Sequence, residues 1–135
     1  MNKEKYIFPA IFEVAEEGGY CITFPDLPGC ITEGDSLDES MYMAKDALEL
    51  FLWNMEDDNE DIPEATKPEN LEVAKGQFIV PITVYMNDVR NEMKNKATKK
   101  TLTIPYWLNK LAEGEKLNFS QILQTALKER LNIRE

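Results

Sequence analysis

The sequence predicts an α+β chain in two parts, a β-β-β-α-β domain followed by a smaller module of one short strand and two helices. Three observations carry this prediction. β-prone runs separated by glycine and proline turn signals fill the first third of the chain. A single long amphipathic stretch follows a helix-capping signal, and the sign of the charge reverses near residue 90. Of the 135 residues 43% are hydrophobic, with two Trp, five Tyr and six Phe, which is enough apolar area for a core and too much for wholesale disorder. The length suits one domain, or a domain of about 90 residues with a small appended module that dimerises.

Tyr6 to Val14 is a β-rich run whose alternating faces, Tyr6/Phe8/Ala10/Phe12/Val14 and Ile7/Pro9/Ile11, are both largely apolar, so a strand covered on both sides is expected. Glu16-Glu17-Gly18-Gly19 is a hairpin signal, because paired glycines accept positive φ, and Tyr20 to Phe24 returns as the second strand. In Pro25-Asp26-Leu27-Pro28-Gly29 proline fixes φ and glycine permits a left-handed residue, predicting a rigid turn before a short strand at Cys30 to Glu33. Ser36 with Glu39 forms a capping box, and the helix it starts runs to about Met55. Its apolar stripe, Leu37, Met41, Ala44, Leu48, Phe51, Leu52 and Met55, is expected to lie on the sheet as core. Glu56 to Gly76 is acidic and broken by Pro63 and Pro68, which predicts a flexible connection or interaction loop. Phe78 to Tyr85 alternates as a fourth strand, closing a first domain over residues 1–86.

Residues 87–97 are polar and read as a connector, with Asp88 able to cap a short helix around Val89 to Lys94. The module at 98–135 has a different pattern. Thr98 to Ile104 is β-prone, Pro105 suits a first helical residue, Trp107, Leu108 and Leu111 continue a helical period, and Gly114 ends it. Asn118 with Gln121 caps a second helix whose apolar set is Phe119, Ile122, Leu123, Ala126, Leu127 and Leu131.

Charge and composition narrow the chemistry. The net charge of −10 conceals an asymmetry: residues 1–89 hold 20 acidic and 5 basic side chains, whereas 90–135 hold 5 acidic and 10 basic. Opposite signs in adjacent blocks suggest two different partners. With no histidine, the usual general base is missing, as are Ser-His and Cys-His nucleophile pairs and mixed Cys/His zinc sites. No catalytic residue, metal site or cofactor is therefore expected. No apolar run approaches the roughly 20 residues that cross a bilayer, and Met1 to Phe8 lacks the layout of a secretory signal, so the expectation is a cytoplasmic protein with no membrane partner. In that compartment Cys21 and Cys30 are expected to stay reduced as small buried hydrophobes.

The segment from Tyr20 through Phe24-Pro-Asp-Leu-Pro-Gly-Cys30 to Gly34-Asp-Ser-Leu-Asp-Glu-Ser40, followed by the Ala44 to Leu50 helix, resembles the HicB antitoxin signature. The resemblance extends from Tyr6 to the carboxyl tail, and is least characteristic over Glu56 to Gly76. It implies an amino-terminal β-β-β-α-β domain likened to a partial ribonuclease H fold, and a partner of the HicA kind, a small basic mRNA-cleaving toxin that supplies its own catalytic histidine. The tail, by its own residues, resembles a ribbon-helix-helix rather than a helix-turn-helix. A strand and two helices fit within 40 residues, and Lys99-Lys-Thr-Leu-Thr-Ile-Pro105 and Asn118-Phe-Ser-Gln-Ile122 are close to that superfamily's ribbon and second-helix start. One short strand cannot stand alone, so an intertwined homodimer, or a higher even-numbered oligomer, is expected on double-stranded operator DNA.

Site residues follow. Leu102 and Ile104 alternate inward, leaving Lys99, Thr101 and Thr103 toward base edges, as matching positions do in that superfamily. Lys100, of the other parity, is expected at a phosphate, as are the free amides of Asn118, Phe119 and Ser120 at a helix start. The plainer alternative leaves the threonines as β-formers and the lysines as solubilising charges. Asp26, Glu33 and Asp35, on turns beside the sheet, are candidate toxin contacts, although Asp26 also suits a turn former bonded to backbone donors two residues on. The expected function is an antitoxin that neutralises a toxin and represses its own operon. Two others compete with it: a regulator with a ligand-sensing amino domain, and a metal-dependent nuclease. The nuclease is disfavoured because no carboxylate lies inside the first strand before Glu13, where a two-metal cluster would be anchored.

Overall fold

The computed structural model describes residues 2–134. They form two compact units, divided between Lys96 and Ala97. In the first, β1 (Lys5–Val14), β2 (Tyr20–Thr23), β3 (Ile31–Gly34) and β4 (Gln77–Tyr85) make one antiparallel sheet in the order β3-β2-β1-β4. Helix α1 (Leu37–Asp57) joins β3 to the long excursion that returns as β4, and α2 (Met86–Asn95) follows directly. The second unit holds α3 (Tyr106–Gly114) and α4 (Phe119–Arg130). Among the described residues no helix is long and apolar enough to cross a membrane.

The turns form where their residues allow. Gly18 and Gly19 both take positive φ, and Ala15 donates to the Gly19 carbonyl at 3.0 Å to close the β1–β2 hairpin. Leu27 is buried inside the proline turn, and Gly29 supplies its left-handed residue at φ 95°. The even-numbered residues of β1, Tyr6, Phe8, Ala10 and Phe12, are buried with Ile22, Ile82 and Val84 on one face of the sheet. Phe12, Tyr20 and Phe78 close the hairpin end, their ring centroids 5.4 to 6.1 Å apart. Burial of one such side chain contributes roughly 1.5–3 kcal/mol.

Helix α1 covers that face, and Ser36 caps it by accepting from the Glu39 amide at 3.1 Å. Its fully buried line is Ser40, Ala44, Leu48 and Leu52, four residues apart. The expected stripe is thus corrected at its start, because Leu37 and Met41 are exposed. At about 100° per residue both lie roughly 60° and 100° around the helix from the buried line. Ser40 holds the inward position because Gly34, at the end of β3, leaves no space for more. A Cβ on Gly34 would press on the Ser40 hydroxyl and lie 2.6 Å from the Ser40 nitrogen.

Several other expectations change. β1 is helix-covered on one face only; on the other Pro9 is buried and Ile11 half-buried, as expected of a strand covered on both sides, but Ile7 is 46% exposed. Cys30 is buried, and burial pushes its thiol pKa up to about 11, but Cys21 is exposed. The acidic stretch after α1 holds only a 3-10 turn, Pro68–Asn70, yet it is tied down: Ile62 packs on the core, and Asp26 accepts from the amide of Thr66 at 2.9 Å and from its hydroxyl. The segment read as a connector is α2, docked on the first unit through buried Met86 and Val89. Arg90 fixes it with two bonds to Glu56, at 2.8 and 2.7 Å, and one to the Lys3 carbonyl at 2.9 Å. The Glu56 carboxylate raises the Arg90 pKa further, so the guanidinium stays charged.

Pro9 of β1 and Pro81 of β4 face each other across the ladder. Neither has an N–H, so theirs is a non-hydrogen-bonded pair, and the nitrogen of each points away from the other strand. Pro9 faces the side where β2 has already ended, since β2 pairs β1 only from Ile11 onward.

The Gly34 contact is testable. In Gly34→Ala the start of α1 must move off the sheet, and an overpacking cost of about 1–3 kcal/mol is expected. Thermal unfolding should show it as a fall in Tm, with a native-like circular dichroism spectrum below the transition.

Candidate functional site

The second unit carries the candidate nucleic-acid interface. Residues 97–105 form no strand within the single chain; the ribbon expected over Thr98 to Ile104 takes two chains. A strand needs a ladder partner, and these residues have none among those described. Their alternation survives nonetheless. Thr98, Lys100, Leu102 and Ile104 line a groove against Phe119, Ile122, Leu123 and Leu127 of α4, so Lys99, Thr101 and Thr103 belong to the other parity. Lys99, Lys100, Thr101 and Thr103 are all exposed.

Pro105 lies just outside α3 as its cap residue, the helix ends at Gly114 as expected, and Lys116 beyond it is left-handed at φ 54°. The Asn118 side chain accepts from the Gln121 amide at 3.0 Å and starts α4 as expected. This leaves the amides of Asn118, Phe119 and Ser120 without an intrahelical acceptor. No residue of α3 or α4 is buried. Leu102 and Ile104, expected in a core, are 57% and 43% exposed, and Trp107 is 64% exposed. The apolar faces of this unit therefore have no cover within the unit itself.

The first unit offers its open sheet face. On it lie Ile7 and Ile11 of β1, Ile79 of β4 and Ile31 of β3, the last 66% exposed. The ladder sets Cys21 opposite both Glu13 and Glu33, so two carboxylates and a thiol cross three strands on that face. Glu16, Glu17 and Asp35 line the same open groove at the hairpin end. Glu33 and Asp35 are exposed, as a docking role needs, whereas Asp26 is half-buried with both carboxylate oxygens bonded to Thr66. Asp26 is therefore a latch between turn and acidic loop, bonded forty residues away and not to its own turn. The isoleucines of this face were not singled out from the sequence. The signal was there: β1 has a second apolar face, and the chain supplies only one long helix to cover the sheet. Among the described residues no group of three or more Cys, Asp or Glu is placed to hold a metal ion.

Fold and surfaces together define a two-part α+β protein, an acidic sheet-and-helix unit followed by a basic helical unit. A family model described as the HicB-like antitoxin of bacterial toxin–antitoxin systems matches residues 8–126, and the chain belongs to that family. It is 34% identical over 101 residues, 73% of each chain, to an uncharacterised 14.9 kDa protein of Haemophilus phage HP1. Over 56 residues, 42% of this chain, it is 45% identical to antitoxin HicB 1 of Photorhabdus laumondii, and that match spans 36% of the antitoxin's length. Among solved structures it is similar to a chain of a toxin–antitoxin complex from Streptococcus pneumoniae, with a TM-score of 0.61 and 24% identity over 93% of this chain and 99% of that one. This last likeness is one of fold.

The Asp26 latch yields a prediction. Asp26→Ala should free the loop after α1, so that limited proteolysis cuts within residues 57–76 several-fold faster than in the parent protein. The lost charge-assisted bonds should lower stability by about 1.5–3 kcal/mol.

Proposed function

We propose that this chain neutralises a small basic HicA-like mRNA-cleaving toxin through residues 1–96 and represses its own operon by binding operator DNA through residues 97–135. Family membership across residues 8–126, which reach into both units, carries the antitoxin reading. It is supported by the excess of 20 acidic over 5 basic side chains in residues 1–89, suited to a cationic toxin, and by the basic balance of the remainder, suited to phosphates. The protein acts as a cytoplasmic binding protein, and no catalysis is assigned to it. The solved relative from Streptococcus pneumoniae is described as part of a toxin–antitoxin complex, which is in keeping with this role.

The DNA-binding unit is a homodimer, or part of a higher even-numbered oligomer. What supports this is the unburied apolar set of Leu102, Ile104, Trp107 and the α4 face, which a second copy would cover. Pairing residues 98–104 antiparallel with their equivalents gives each its missing ladder partner and builds the ribbon of a ribbon-helix-helix. Lys99, Thr101 and Thr103 then face base edges. Lys100 and the amides of Asn118, Phe119 and Ser120 face phosphates. On the first unit Glu33 and Asp35 remain as toxin contacts.

The antitoxin role is tested by co-expression with the adjacent reading frame. That frame alone should arrest growth, and this chain should relieve the arrest; continued arrest despite a soluble, folded chain overturns the reading. The DNA role is tested by substitution. Thr101→Ala with Thr103→Ala should relax preference for the operator, each lost base contact costing roughly 1–3 kcal/mol. Lys100→Ala should weaken all sequences alike and reduce the salt slope by about 1. A double threonine variant that still dimerises and selects its operator as well as the parent would remove the ribbon as the reading head.

A further inference from the structure

The open sheet face of the first unit is the largest feature of that unit that its own fold leaves unexplained. Helix α1 buries the even-numbered side chains of β1, while Ile7 and Ile31 on the opposite face stand 46% and 66% exposed. Between them Pro9 is buried and Ile11 half-buried, so the exposed apolar groups stand at two ends of a face that no helix covers. At the hairpin end the charge is of a single sign: Glu13 and Glu33 flank Cys21 across three paired strands, with no basic side chain in the groove they line, while Lys5 lies at the other end of the face over the Tyr85 ring. Isoleucines beside carboxylates suit a protein partner with an apolar patch and a lysine- or arginine-rich margin. They suit nucleic acid poorly, because phosphates would be repelled.

We propose that the toxin docks on this open face, with Ile7 and Ile31 under its apolar patch and Glu13 and Glu33 against its cationic margin. This rests on the antitoxin reading above and assigns it a surface. The other exposed acidic surface, the outer side of α1 around Tyr42 and Asp46, is the alternative position.

Cys21 makes the assignment measurable in the whole 135-residue chain, because its thiol is exposed within the proposed footprint and Cys30 is buried. Maleimide labelling of Cys21 should be fast in the free protein. It should slow at least tenfold when the purified product of the adjacent reading frame is added in excess. Glu13→Lys with Glu33→Lys should weaken that complex at least tenfold in Kd at low salt, while operator binding and Tm stay within error of the parent. Should the double reversal fail to fold, the labelling rates of the parent protein decide the matter alone. A complex that forms while Cys21 labels as fast as before overturns the surface and leaves the antitoxin reading standing; loss of binding in Asp46→Lys would then place the toxin on α1. Slow labelling before any partner is added also overturns it, since another copy would already occupy the face. Absence of any complex overturns both the surface and the antitoxin reading.

Discussion

Strand β1 is the constraint on which the first unit depends. It is the longer of the two inner strands, bonded to β4 from Lys5 to Glu13 and to β2 from Ile11 to Val14. Its even-numbered side chains form the floor of the core, against which α1 buries Ala44, Leu48 and Leu52. The two faces of such a strand are inseparable. A shift of one residue would exchange Phe8 and Phe12 for Ile7 and Ile11, so the register that fixes the core also fixes what the other face displays.

The closeness of α1 to the sheet is set at one end by small residues and at the other by charge. Gly19, Gly34 and Ser40 stack where the hairpin, β3 and the helix start converge, and a Cβ on Gly19 would strike the Gly34 carbonyl oxygen. At the far end Glu56 meets Arg90, which also holds the carbonyl of Lys3, so helix α1, helix α2 and the segment leading into β1 share one guanidinium. Ser40 carries a buried hydroxyl with no hydrogen-bond partner among the described residues. The close approach is maintained despite that unsatisfied group.

Local chemistry made most of the elements legible in the sequence. The glycine hairpin, the Ser36 cap, the proline turn and the Asn118 cap each depend on residues within four positions, and all four form where they were expected. Long-range contacts were not legible. Nothing near Asp26 announces Thr66, and nothing near Arg90 announces Glu56, so the acidic loop read as free and α2 read as a connector. The period of α1 identified a stripe but not which way its first turn would face, because Gly34 decides that from another strand. The ribbon shows the opposite limit. Thr98 to Ile104 has the alternation of a strand, yet these residues form none where no ladder partner lies beside them.

The proline pair at the centre of the β1–β4 ladder bears on how this sheet meets other molecules. With β4 at the edge of the sheet and Pro81 in the middle of that strand, the outer row of amide donors is interrupted midway. An extended segment laid along it could not zip up continuously. Edge-to-edge stacking of copies into fibrils is thereby discouraged at the longest free margin of the fold. This protection is built into the backbone and is independent of salt and pH.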